Sequence, residues 1–147
     1  MRLAQPKTYK QRAVASGVAD SVAPSMPAWR SRAAATVPYL LMAMVAGTLI
    51  QAYLGGAGYM ADGSYFATHK SFVHLLELFP VLLAVAGFLG RDKVAAWSGV
   101  ALFFLIGFQY GLVRADGLVR ALHVANGFVI FGVALILLVQ RWPWRKA

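Results

Sequence analysis

Apolar residues run almost unbroken through four stretches, Ala33 to Leu54, Phe66 to Leu89, Val94 to Val113 and Leu118 to Gln140. Each is close to the ~20 residues a helix needs to cross a bilayer. The polar positions collect between them, in GGAGYMADGSY (residues 55–65), in the Arg91 to Lys93 turn and in RADG (residues 114–117), all turn-like in composition. Connections this short make successive helices antiparallel neighbours. The pattern therefore predicts an all-α fold, a four-transmembrane-helix antiparallel bundle. Pro80, well inside the second run, predicts a kink there, because proline offers no N–H to the carbonyl four residues earlier.

Composition agrees with this reading. Of 147 residues, 60% are hydrophobic and 13% charged, and the mean hydropathy is +0.64, which excludes an ordinary soluble domain. The net charge of +9 does not point to nucleic acid, because Lys and Arg sit in short clusters between the runs and form no continuous basic face. The bilayer is the expected partner, with other membrane subunits as further partners. Eleven Lys and Arg lie in the terminal segments and the Arg91 to Lys93 turn, against Lys70, Arg114 and Arg120 on the opposite side, an asymmetry that places both termini in the cytoplasm. Trp29, Trp97, Trp142 and Trp144 gather on the same side, as interfacial aromatic rings do. Residues 1–32 read as a disordered basic cytoplasmic tail, with the cationic, acid-poor character that targeting segments share. Residues 33–140 form the transmembrane domain and residues 141–147 a second cytoplasmic tail. With no cysteine, thiolate metal sites and thiol catalysis are excluded.

The two halves of the chain are alike. Ala61-Asp62-Gly63 and Ala115-Asp116-Gly117 mark equivalent turns, and a histidine follows each Asp by seven residues, His69 in one half and His123 in the other. The alignment suggests two repeated helical hairpins with these histidines at equivalent positions. Whether or not the halves are repeats, the topology brings Gln51, His69, His74, Glu77, Gln109, His123 and Asn126 to one end of the bundle, in the outer half of the membrane. Ionisable groups within a span are costly and mark function by default. At about 100° per residue, His74 lies roughly 140° round the helix from His69, with Glu77 between them, so one face cannot present both histidines equally to one ligand. Glu77 is expected to be buried. On the fourth span His123, Asn126 and Gly127 share a face, and Gly127 gives a flat group room to approach.

Histidines at one depth on different helices suit the axial ligation of haem iron. The candidate haem b ligands are His123 first, His69 as its partner and His74 as the substitute, with Glu77, Asn126 and Gly127 completing the cofactor-binding set and electron transfer as the role. Two other readings stand beside it. In one, the polar layer only fixes helix packing in an accessory or assembly subunit, and the pairs Gly87 and Gly90 or Gly107 and Gly111 face a partner helix. In the other, Glu77 and a histidine handle protons or a quinone near the outer face. No zincin, P-loop, Ser-His-Asp or Gly-rich nucleotide motif occurs, so hydrolase chemistry has no support and a catalytic residue is not assigned.

HVANG (residues 123–127) and its counterpart HKSFV (residues 69–73), followed by long apolar helices, resemble a group of small, functionally uncharacterised four-helix bacterial membrane proteins. They are also loosely similar to minimal cytochrome-b-like bundles. The resemblance covers roughly residues 37–140 and carries over His69, His123 and Gly127, while Val73 departs from the glycine expected after His69. It implies a bacterial inner-membrane location and a bundle fold.

Overall fold

A computed structural model describes residues 26–142, in which the chain forms five helices making four crossings: α1 (Ala28–Met60), α2 (Tyr65–Leu76), α3 (Leu78–Leu89), α4 (Lys93–Arg114) and α5 (Gly117–Arg141). The second crossing comprises α2 and α3 together. All four are long and apolar enough to span a membrane, and the described chain is all-α. This is an integral membrane protein. The expected segments at residues 1–25 and 143–147, Trp144 included, lie outside the described residues.

Contacts run round a ring: α1 against α2 and α3, α3 against α4, α4 against α5, and α5 back against α1. The second and fourth crossings are therefore diagonal partners. Val37, Leu41, Met44, Leu76, Leu83, Leu102, Ile106, Ile130 and Ala134 fill the centre. Most other large apolar side chains point outward, among them Leu78, Phe104, Phe128 and Ile136, which in a bilayer is the lipid-facing surface.

Both boundaries of the first helix differ from the sequence reading. The first helix begins at Ala28, within the segment expected to be tail, because nothing in WRSR opposes helix continuation once the apolar run has nucleated it. It also runs on to Met60, through the glycines expected to form a turn. Two of those glycines serve packing: a Cβ on Gly58 would collide with the Phe66 ring, and one on Gly55 would touch His69. The turn itself is short. Asp62 accepts a 2.9 Å hydrogen bond from the Ser64 N–H, which holds its carboxyl below the usual carboxylate range.

The second crossing does break, at Glu77, three residues before Pro80. Pro80 has no N–H for the Leu76 carbonyl, so the helical ladder is interrupted in the turn that carries Glu77. Below the break, α3 and α4 pack backbone to backbone. A Cβ on Gly87 would fall 2.3 Å from the Ala96 nitrogen, and one on Gly99 would fall 2.5 Å from the Ala84 nitrogen. Gly90 is likewise closed off by Ala34. The pair Gly87 and Gly90 therefore faces inward and offers no partner surface, whereas Gly107 and Gly111 meet open space. Above the break, α2 leans on α1 and has no comparable packing on α4.

Candidate functional site

The bundle end that holds the Asp62 and Asp116 turns carries the polar layer, and the structure divides it into two clusters. The first is internal. His69 on α2 and His123 on α5 approach from diagonal crossings with ring centroids 6.3 Å apart and planes inclined at 60°. His69 Nδ1 lies 3.1 Å from the Gln51 carbonyl of α1, a contact in which the ring N–H donates and which leaves Nε2 as the basic nitrogen. Gly55, one turn along α1, makes room for the ring, since a Cβ there would sit 3.5 Å from His69 Cε1 and Nδ1.

Gln109 of α4 completes the layer. Its amide lies beside Gly127, on the face of α5 that carries His123 one turn away. The place of a flat group at Gly127 is thus taken, in this structure, by the Gln109 side chain. Every crossing contributes one member: Gln51, His69, Gln109 and His123. Three of them keep a buried polar atom without a hydrogen-bond partner, namely Gln51 Oε1, Gln109 Oε1 and His123 Nδ1. Buried polar atoms are ordinarily satisfied, so three orphans in one layer indicate a site built around something further. Asn126 behaves differently. Its amide donates to the Leu105 carbonyl at 2.8 Å, a cross-helix tie between α5 and α4.

The second cluster lies in the seam between α2 and α4. The Tyr110 hydroxyl donates to the Glu77 carboxylate and stands 3.3 Å from His74 Nδ1, while His74 Nδ1 is 3.5 Å from the other Glu77 oxygen. The His74 and Tyr110 rings stack, 6.2 Å apart and 19° from parallel. Glu77, expected to be buried, keeps 26% of its side chain exposed, and His74 keeps 68%. His69 and His74 lie on well-separated directions of the one unbroken helix α2, so with His69 turned inward, His74 and the adjoining Glu77 face the seam with α4 and do not join the His69–His123 pair. Tyr110 is the member that sequence reasoning missed; the signal was its position next to Gln109, at the same level of the third span.

Among the described residues no group of three or more His, Cys, Asp or Glu is placed to hold a metal ion. A bare zinc site draws three or four ligands from protein, which the internal pair cannot supply. Haem iron asks for only two, because the macrocycle provides the rest. The His69 and His123 rings, 6.3 Å apart between centroids, are close enough for both to hold one iron. The donor set fits haem in this respect.

Residues 51–116 match the model of a family of unknown function (DUF6220). The matched region takes in Gln51, His69, His74, Glu77, Gln109 and Tyr110 and stops short of His123. No curated protein and no solved structure matches the chain.

Proposed function

We propose that this membrane protein binds one haem b between its diagonal crossings and serves electron transfer. The observation that carries the reading is the His69–His123 pair, 6.3 Å between ring centroids, with one ring oriented by the Gln51 carbonyl. A ligating histidine usually donates its second nitrogen to a carbonyl or carboxylate, which fixes the tautomer and raises the basicity of the ligating atom. His69 has that arrangement. His123 would be the second histidine to hold the group, and Gln51 and Gln109 carry buried polar atoms in the same layer. Bound haem would supply a one-electron couple, its potential set by axial ligation and burial. The second and fourth crossings hold the two half-buried rings facing the same layer. The termini face the cytoplasm in this proposal, on the Lys and Arg asymmetry, in a bacterial inner membrane.

The test is spectroscopic. The detergent-purified full chain, expressed with a haem precursor, is recorded oxidised and reduced, and apoprotein is titrated with haemin. A sharp α band on reduction and a haem-to-protein ratio near one support the reading, provided that His69→Ala and His123→Ala abolish the low-spin spectrum while His74→Ala keeps it. A featureless spectrum with no saturable haemin uptake overturns it, as does an unchanged spectrum in both ligand variants.

A further inference from the structure

The seam cluster carries a second site, one the internal pair does not use. We propose that the cleft between α2 and α4 binds a lipid-soluble ring bearing hydroxyl or carbonyl groups, a ligand of the quinol class, entering from the bilayer. His74, Glu77 and Tyr110 form its polar floor, with a donor hydroxyl, a carboxylate and an imidazole in mutual contact.

Three observations lead there. His74 is two-thirds exposed on a largely apolar surface, and its Nδ1 is engaged by Tyr110 and Glu77, so the cluster presents a polar floor to the bilayer where ionisable groups are costly and mark function. The seam is also unpacked, since α2 rests on α1 while α4 rests on α3 and α5, leaving long side chains to bridge the gap. Finally, Phe103, Gly107, Tyr110 and Gly111 follow one face of α4, and a Cβ on either glycine would meet nothing within 4 Å. A flat ring arriving from the bilayer over that open face of α4 would meet the stacked Tyr110 and His74 rings.

Depth selects the ligand. Lys70 lies on the same outward face of α2, seven residues before Glu77, and thus about 10 Å nearer the membrane surface. A phospholipid headgroup is met by Lys70 and Arg114 at the rim and does not reach the cluster. An acyl chain reaches it but has nothing to hydrogen-bond. A quinol ring does both: its tail stays in lipid, and its ring oxygen exchanges a hydrogen bond with His74 or Tyr110.

The full chain in phosphatidylcholine nanodiscs is titrated with decylubiquinone, and an azido-quinone is photolysed in place with the adduct mapped by mass spectrometry. Saturable 1:1 binding, adducts confined to residues 70–82 and 103–114, and a tenfold or greater loss in His74→Ala and Tyr110→Phe support the proposal. Gly107→Leu, which fills open space and touches no polar group, is expected to weaken binding as much. Ser31→Ala, far from both clusters, is expected to bind normally, and binding read on haem-free as well as haemin-treated protein makes failure here distinguishable from failure of the haem reading. Partitioning that never saturates, or binding equal in wild type, His74→Ala and Gly107→Leu, overturns it.

Discussion

Arg141, the last residue of α5, forks onto both carboxylate oxygens of Asp92, with Nε to Oδ2 at 2.7 Å and Nη2 to Oδ1 at 2.8 Å. Asp92 also accepts from the Ala95 N–H and so caps the start of α4. One carboxylate thereby ties the α3–α4 turn to the end of the fourth crossing and closes the terminal end of the bundle. The Arg141 guanidinium holds the Asp92 carboxyl below the usual carboxylate range. A depressed folded-state pKa means stability that is present above the unfolded value and lost as the pH falls through the folded one. Thermal unfolding in detergent should therefore show Asp92→Asn less stable than wild type at pH 7 by on the order of 1 kcal/mol, the scale of a partly screened pair. The difference should shrink as the pH falls from the ordinary carboxylate value toward the lowered one of the folded state, where the wild-type carboxylate too becomes protonated. A gap that persists unchanged at pH 3 would sink the assignment.

The close approach of α3 and α4 predicts a steep response to a single methyl group. In Gly99→Ala the new Cβ would lie 2.5 Å from the Ala84 nitrogen and 2.6 Å from the Pro80 carbonyl oxygen, both backbone atoms that cannot rotate away. The expected cost is about 1–3 kcal/mol, as for other overpacked sites. Gly111→Ala, made where the backbone faces open space, is the control and should be near neutral in the same unfolding measurement.

Arg91 adopts φ 59° in the turn after α3, where the Asp92 N–H returns to the Gly87 carbonyl to close the helix end. A side chain at that backbone angle costs roughly 1 kcal/mol, and glycine is the residue such a cap favours. Arg91→Gly is expected to raise the melting temperature modestly, and a clear loss would contradict the cap geometry.

Asn126 separates packing from ligand binding. Because its amide is committed to the Leu105 carbonyl, Asn126→Leu should lower stability by about 0.6 kcal/mol, the average for an intramembrane hydrogen bond. It should leave haemin titration unchanged. Loss of haem uptake with intact stability would move Asn126 into the site.

The sequence by itself determined the four crossings, their antiparallel order, the break near Pro80 and the gathering of polar groups at one end. These follow from quantities that lie along one dimension: the length of an apolar run, the position of a proline, the parity of crossings. It also singled out His69 and His123 as equivalents. It could not determine which polar groups meet, because that depends on how each helix is rotated about its axis and on which crossings are diagonal. His69 and His74 sit on well-separated directions of one helix, and nothing in the sequence says which direction faces in. The tertiary structure decided it through small residues. Gly87 and Gly99 lock α3 to α4 below the break, Gly55 and Gly58 draw α2 onto α1 above it, and the rotation this fixes for α2 sends His69 inward and His74 out. The same rotation brought Tyr110 to Glu77, a contact between residues 33 apart in the chain that only three-dimensional packing could specify.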